Sequence, residues 1–197
     1  MRMTTLHEQR ERESQNIPSI DEQERFVTQG LTLDAIGRPL HPWANSLTNE
    51  RFVPGKGTFY HWGPNKTVDP IVITNQTHPR ILLIQRRDTG EWALPGGFVD
   101  GDESTTEAAQ RELNEETSIL LEHEKWQTCY QGPVEDPRST LNAWPETTAV
   151  ITLMSASSTP IAKDDALHAE WILLSDVPSM ELYGSHRKLI NLGLNYL

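Results

Sequence analysis

Four glutamates crowd around one arginine within residues 107–116: Glu107, Glu112, Glu115 and Glu116 surround Arg111. Each like-charged pair four residues apart destabilises a bare helix by about 0.2–0.5 kcal/mol, so the arrangement indicates an additional cation. At about 100° per residue, Glu112, Glu115 and Glu116 share one helix face. Three carboxylates suit a hard divalent cation such as Mg²⁺, whose other partners are commonly substrate phosphates. The segment therefore predicts a metal site for a phosphate-containing ligand.

Arg111 lies four residues before Glu115, so a salt bridge is expected to fix that one carboxylate without neutralising the rest. Glu107 falls outside the shared face and is expected to be solvated. A solvated acidic helix face is the alternative for the whole segment. The small residues at 95–97 (Pro-Gly-Gly) weigh against it because they let a ligand or metal approach closely. Residues 100–112 lack the third acidic ligand and the glycine of an EF-hand calcium loop, which is therefore excluded.

The elements around this segment indicate an α+β fold, a mixed α/β sandwich. Residues 104–117 are predicted as a helix whose core side carries Ala109, Leu113 and Thr117 at four-residue spacing. Short aliphatic or β-branched runs predict strands at 70–74, 80–87, 126–132, 147–154 and 169–175. Residues 185–195 are predicted as a second helix.

The N-terminal third differs in composition from the rest of the chain. Residues 1 to about 25 are polar and are expected to fray or to form an isolated helix. Residues 26–66 are rich in Pro, Gly, Asn and Trp, which predicts a turn-rich lobe. We therefore expect an N-terminal extension and small lobe over 1–66 and the main domain over 67–197.

Composition limits the classes of partner and location. The net charge of −11 argues against sequence-independent binding of nucleic acid. An anionic substrate would need bound metal or local arginines, for which Arg86 and Arg87 are candidates; alternation puts them on opposite faces, so at most one points at the phosphates. A single cysteine, Cys129, excludes an internal disulfide. With no membrane-length apolar run and no secretory signal, the expected location is cytoplasmic, without a membrane partner.

One longer pattern contains the acidic segment. Gly97, five residues, Glu103, seven residues and then 111–119 (RELNEETSI) resemble the Nudix box, G-x5-E-x7-R-E-U-x-E-E-x-G-U, with U aliphatic. Every specified position matches except Ser118, which replaces a glycine. Since that glycine normally supplies a left-handed helix cap, we expect a modest loss of stability and no loss of catalysis.

Further segments extend the resemblance over about residues 50–190: 61–72, 90–100, 135–150 and 182–186. Together they are similar to the ADP-ribose pyrophosphatase subfamily, which includes the mitochondrial mammalian enzyme and the sensor domain of a melastatin-type cation channel. The resemblance implies a Nudix fold and a nucleotide-binding hydrolase that splits ADP-ribose into AMP and ribose 5-phosphate. It implies Mg²⁺ as cofactor, with Mn²⁺ as a substitute.

The resemblance also implies roles for individual residues. The metal ligands it implies are Glu112 and Glu116, supported by Glu115 and completed by the Gly96 carbonyl, while Glu103 and Arg111 organise the box. These three glutamates are also the candidate catalytic residues. The general base is open among Asp164, Asp165 and Glu170, of which Asp165 is preferred, and water activated by the metal alone would need no protein base.

Four residues are implied in substrate binding. Asp136 and Arg138 are implied in nucleotide contact, with a salt bridge inside a turn as the alternative. Tyr183 and His186 are implied at the adenosine end, where the ring would stack on adenine and the imidazole would donate to ribose or phosphate. The alternative for His186 is a surface histidine at a helix start.

The complete set of box carboxylates favours an enzyme over a binding module that keeps the nucleotide pocket without turnover. Within the enzyme class, NADH, FAD and sugar nucleotides are alternative substrates. Capped RNA is disfavoured by the acidic balance of the chain. A homodimer is compatible with the sequence.

Overall fold

The computed structural model describes residues 17–45, 53–121, 125–155 and 158–197. Their elements, in chain order, are α1 (Ile20–Thr28), β1 (Gly63–Thr74), β2 (Arg80–Arg86), β3 (Trp92–Ala93), β4 (Gly97–Phe98), α2 (Thr105–Thr117), β5 (Gln127–Pro133), β6 (Ala143–Met154), β7 (Ala166–Leu173), a 3₁₀ turn (Val177–Ser179) and α3 (His186–Leu194). The predicted α+β class is confirmed.

The strands form one seven-stranded sheet in the order β3-β2-β1-β6-β5, with β4 paired to β1 and β7 paired to β2. Strand β1 begins at Gly63 rather than at the predicted residue 70. The predicted strand begins at residue 70 because proline commonly marks the start of a strand, yet Pro70 lies inside β1. It falls between Val68, which pairs with β4, and Ile73, which pairs with β2, so it sits where the neighbour on that edge changes.

The chain divides into two compact units. The first comprises residues 1–65 and 133–146, and the second comprises residues 66–132 and 147–197. In the first unit, Ser19 and Glu22 close the start of α1 with reciprocal hydrogen bonds, and Phe26 is buried. For residues 17–25 the expected helix is confirmed and the expected fraying is wrong, because the helix is capped; the burial of Phe26 shows that it is not isolated. Residues 1–16 lie outside the described part.

The second unit contains α2, whose inner side is fully buried. The predicted core residues Ala109, Leu113 and Thr117 have 0% exposure, so the predicted helix and its orientation are confirmed. The predicted C-terminal helix is confirmed as α3, which buries Leu189 and Ile190. Among the described residues, no helix is both long and apolar enough to cross a bilayer.

Candidate active site

The start of α2 is closed by a capping box. The Ser104 hydroxyl accepts from the Glu107 amide at 3.3 Å, and the Glu107 carboxylate accepts from the Ser104 amide at 2.8 Å. These bonds lower the pKa of Glu107. Glu107 is exposed, as expected, and it also fixes the first turn of the helix.

Arg111 joins the helix to the loop before it. Its guanidinium donates to both oxygens of Glu103 at 2.9 Å and to the Phe98 carbonyl at 2.9 Å. It also donates to Glu112 at 2.8 Å and to Glu115 at 3.1 Å. The bonds from Arg111 lower the pKa of Glu103. The expected pairing with Glu115 alone is too narrow, since the arginine hydrogen-bonds three carboxylates and lies 3.9 Å from a fourth, that of Asp100.

Glu112 and Glu116 are the two carboxylates that the fold removes from water. The Glu112 side chain is 12% exposed and Glu116 is 4% exposed. Burial raises the pKa of Glu112. Burial, and then the negative charges of Glu112 and Asp165, raise the pKa of Glu116 to about 8, against the lowering effect of a bond from Gly96. Glu112 keeps its bond from Arg111, whereas Glu116 accepts from a neutral amide, so a bound cation would stabilise the charged form of Glu116 most.

The glycines before α2 lie directly against these carboxylates. The Gly96 amide donates to Glu116 Oε2 at 2.9 Å. A Cβ atom on Gly97 would collide with the Glu112 carboxylate, and one on Gly96 would collide with the Val68 carbonyl oxygen. Glycine at 96 therefore avoids a clash with fixed backbone, and glycine at 97 leaves the Glu112 carboxylate in its observed position.

This donor set fits Mg²⁺ or Mn²⁺. In the described ranges, no three His, Cys, Asp or Glu side chains are grouped as a closed cage. Magnesium seldom uses such a cage and is usually held by one or two carboxylates, water and substrate phosphates. Buried carboxylates with raised pKa values beside a glycine backbone match that requirement.

The loop before β7 brings an acidic residue to this region. The Lys163 amide donates to the Glu116 carbonyl at 3.1 Å, which ties the loop to the end of α2. Asp165 is exposed, and its charge acts on Glu116. Among the candidate bases, Asp164 has a left-handed backbone with φ 49°, and Glu170 lies on β7 opposite Leu83.

Arg87 holds the same loop from the other side. Its amide donates to the Asp165 carbonyl at 2.9 Å, and its guanidinium donates to the carbonyls of Asp164 at 3.2 Å and Ala166 at 3.0 Å. The three bonds bracket Asp165. This geometry makes Arg87 a support of the loop, and its predicted contact with substrate stays a prediction.

The positive charge of Arg86 acts on Glu116. It offsets part of the rise in the pKa of Glu116. Its guanidinium pairs with Asp88 at 2.7 and 2.9 Å and lies 4.3 Å from the centre of the Tyr183 ring. Tyr183 is 4% exposed, so adenine could stack on this ring only after Arg86 moved. Adenine stacking on Tyr183 stays a prediction, and it requires Arg86 to leave the ring.

His186 begins α3 but is not a surface residue. Its side chain is 14% exposed. The Leu94 amide donates to Nδ1 at 2.7 Å, and Nε2 lies 3.7 Å from Asp69 Oδ1. The other oxygen of Asp69 accepts from the Thr147 hydroxyl. The alternative of a surface histidine is therefore wrong, and its predicted donation to substrate stays a prediction.

The profile of the NUDIX domain matches residues 64–192. The chain belongs to the Nudix family. The mitochondrial ADP-ribose pyrophosphatase of Rattus norvegicus is 32% identical over 206 residues, which cover 86% of this Nudix chain and 57% of the rat protein. The chain thus spans little more than half the length of that relative.

Two solved Nudix structures are similar. The NUDIX domain of Shewanella oneidensis NrtR, complexed with ADP ribose, is 25% identical with a TM-score of 0.59, and the match covers 78% of this chain and 96% of that one. A bifunctional NMN adenylyltransferase/ADP ribose pyrophosphatase from Francisella tularensis, complexed with AMP and a Mn ion, is 29% identical with a TM-score of 0.56, covering 70% and 43%. The predicted Nudix fold and the resemblance to ADP-ribose pyrophosphatases are confirmed.

Asp136 and Arg138 belong to the first unit of the Nudix chain, not to the unit that holds the box carboxylates. Asp136 accepts three hydrogen bonds from the Arg138 guanidinium, the shortest at 2.7 Å, and one from the Arg138 amide at 2.7 Å. The Arg138 guanidinium also lies 5.7 Å from the centre of the Phe59 ring. The pair forms the turn salt bridge given as the alternative, and its nucleotide contact stays a prediction.

Sequence reasoning missed Asp69 and Leu94, which contact His186. A signal for Asp69 was present, because it is the charged residue beside the apolar run of β1 and is only 9% exposed. A buried carboxylate needs hydrogen-bond or charge partners. For Leu94 no local signal existed, since its contribution to the Nudix site is a backbone amide.

Proposed function

We propose that the chain is a Mg²⁺-dependent hydrolase that splits the pyrophosphate bond of ADP-ribose into AMP and ribose 5-phosphate, with Mn²⁺ as a substitute. The buried pair Glu112 and Glu116 carries this proposal. The fold places two carboxylates with raised pKa values beside a glycine loop, an arrangement that is unfavourable unless a cation joins it. Similarity to the rat ADP-ribose pyrophosphatase supports the choice of substrate.

The residues of the site have distinct roles in the proposed reaction. Glu112 and Glu116 would hold the cation, with support from Glu115 and the Gly96 carbonyl. When bound, the cation offsets charge on the pyrophosphate and makes water a better nucleophile. Asp165, exposed beside Glu116, is the side chain proposed to accept the proton from the attacking water.

Two arginines of the second unit would serve the proposed reaction in different ways. Arg111 fixes the box because its planar guanidinium donates to Glu103 and to the Phe98 carbonyl. The remaining nitrogen of this rigid group then holds the Glu112 carboxylate in place. Arg86 is the cation beside Glu116 and is the proposed phosphate contact. Its pairing with Asp88 keeps it extended over Tyr183, so a phosphate would compete with Asp88 for the guanidinium.

The proposed recognition of the nucleotide rests on the resemblance of the sequence to ADP-ribose pyrophosphatases. Tyr183 is proposed at the adenosine end, and Asp136 and Arg138 are proposed as nucleotide contacts. The predicted donation of His186 to ribose or phosphate would require Nε2 to leave Asp69. A cytoplasmic location, a homodimer and the absence of nucleic-acid and membrane partners stay predictions.

The test is a substrate panel. The protein is incubated with Mg²⁺ and ADP-ribose, NADH, FAD or a sugar nucleotide, and AMP release is measured by chromatography. We expect ADP-ribose to have the highest kcat/KM. Equal or faster turnover of NADH or FAD would overturn the substrate assignment, and ADP-ribose binding by calorimetry without AMP release would identify a binding module.

A variant separates the metal site from the rest. Glu116→Gln is expected to lower turnover at least about 100-fold, because the loss of a cation ligand removes several kcal/mol of transition-state stabilisation. Glu107→Gln is the matched control on the same helix, since Glu107 is exposed and its bonds go to Ser104. Near-full activity of Glu116→Gln would contradict the metal assignment.

A further inference from the structure

The backbone of Leu94–Gly96 joins β3 to β4 and touches the site through its amides. The Leu94 amide donates to His186 Nδ1 at 2.7 Å, and the Gly96 amide donates to Glu116 Oε2 at 2.9 Å. Pro95, between them, has no amide hydrogen. Both N–H groups of this stretch are therefore held by side chains, one an imidazole and the other a box carboxylate.

The first of these anchors depends on the position of one proton. Because the Leu94 amide donates to Nδ1, that nitrogen is unprotonated and the ring proton is on Nε2. Nε2 lies 3.7 Å from Asp69 Oδ1, so the negative carboxylate favours the ring proton on that nitrogen. The Thr147 hydroxyl donates to Asp69 Oδ2, which fixes the carboxylate with its other oxygen towards the ring.

Packing restricts the imidazole further. The Tyr183 ring meets it edge-on, with centroids 5.8 Å apart and planes at 83°. Because His186 is the first residue of α3, its backbone is fixed by the helix. The ring therefore presents Nδ1 to the loop and Nε2 to Asp69, and a reversed tautomer would oppose two N–H groups at Nδ1.

We propose that Asp69 and His186 form a positioning pair for the carboxylate site: Asp69 keeps the ring proton on Nε2, His186 anchors Leu94, and the anchored loop keeps the Gly96 amide on Glu116. Neither residue needs to touch the reacting atoms for this role. The effect on turnover rests on the proposed function, whereas the tautomer and the loop anchor do not.

If His186 anchors Leu94, substitutions of His186 should have different effects from those expected if His186 contacted substrate through Nε2. Asparagine at position 186 places an amide oxygen near the position of Nδ1, and glutamine places its polar group near the position of Nε2. His186→Asn should therefore keep an acceptor for the Leu94 amide, and His186→Gln should lose it. A substrate contact through Nε2 predicts the opposite order.

The first measurement uses the metal-free wild-type protein and needs no turnover. Nitrogen-15 NMR of the His186 ring should show the proton on Nε2, and the amides of Leu94 and Gly96 should exchange slowly. In His186→Gln, exchange at Leu94 should be about tenfold faster, as expected for one lost hydrogen bond, while His186→Asn should retain protection. In Asp69→Asn, the fraction of ring protonated on Nδ1 should rise.

The second measurement is direct binding of Mn²⁺ to the same proteins. His186→Gln and Asp69→Asn should bind Mn²⁺ about tenfold more weakly, as is typical when a supporting residue around a metal site is lost, and His186→Asn should recover most of the affinity. Thermal unfolding separates this effect from general damage, because His186→Asn and His186→Gln should melt within a few degrees of each other.

A wild-type ring protonated on Nδ1 would overturn the proposal, and so would unchanged Leu94 exchange in His186→Gln. Recovery of Mn²⁺ affinity by glutamine but not by asparagine would also overturn it. If ADP-ribose were not hydrolysed at all, the proposed function would fail, while the tautomer and exchange results would still decide the positioning role.

Discussion

Replacing Glu116 by glutamine should stabilise the metal-free protein above neutral pH even as it removes turnover. Glu116 is 4% exposed, and its pKa is raised to about 8 from an ordinary value of 4.5. Between these two pH values the folded state holds a proton that the unfolded chain releases, so stability falls as pH rises through this window. A pKa moved that far corresponds to at most about 5 kcal/mol at full deprotonation.

Glutamine removes this penalty without removing the acceptor, because its amide oxygen can still receive the Gly96 N–H. At pH 5 the wild-type carboxyl is protonated in the fold, so the two proteins should differ by less than about 1 kcal/mol. At pH 9 we expect Glu116→Gln to be more stable by about 2–5 kcal/mol.

Urea unfolding in EDTA at pH 5 and pH 9 measures this difference. Glu115→Gln is the control: that side chain is 45% exposed and its bond to Arg111 is 3.1 Å long, so the change should stay under about 1 kcal/mol at both pH values. A Glu116→Gln protein less stable than wild type at pH 9, or a gap that does not widen with pH, would refute the reasoning.

Magnesium should narrow this gap. A cation that binds only the folded wild type adds about 2.7 kcal/mol at one hundred times its dissociation constant, and the variant should gain little of this. If Mg²⁺ stabilised wild type and Glu116→Gln equally, Glu116 would not be a ligand.

Three further outcomes are expected. Ser118→Gly should raise the free energy of unfolding by about 1 kcal/mol in a thermal melt with unchanged activity, because Ser118 ends α2 at φ 58°; a loss of stability would show that its bond to the Ile161 carbonyl matters more. Arg111→Lys keeps the charge but loses the fork, and should lower urea stability by about 1–3 kcal/mol; no change would contradict the joining role of Arg111. Arg87→Met should lower kcat about 10- to 100-fold with little change in KM for ADP-ribose, because it frees the backbone around Asp165; a rise in KM alone would instead indicate a phosphate contact.

Local features of this chain were predictable because they depend on neighbours in sequence. The core side of α2 follows from its helical period, and the box lies within 97–119. The left-handed position at Ser118 was expected from the glycine that it replaces, and the structure has it there. The Asp136–Arg138 salt bridge could be offered as an alternative for the same reason, since the two residues are nearly adjacent.

Contacts between distant segments were not predictable in this way. The Leu94 amide meets His186 across 92 residues, and Thr147 meets Asp69 across 78. No periodicity encodes such contacts, because they depend on how β1, β6 and α3 pack. The burial of the box carboxylates also depends on packing between distant segments. Sequence spacing put Glu112, Glu115 and Glu116 on one helix face, but only the fold leaves Glu115 exposed and Glu116 buried.

Charge at the site explains why the fold tolerates this arrangement. Arg111 carries one positive charge and donates to three carboxylates: Glu103 accepts from Nε and Nη2, and Nη1 is shared by Glu112 and Glu115. Glu116 accepts a hydrogen bond from the neutral amide of Gly96, and the charge of Arg86 also acts on it. A cation bound beside this buried acid would therefore add to the folding stability of the protein. A more stable metal-free protein would be obtained by neutralising Glu116, and the retention of the carboxylate is best explained by its use in binding a cation.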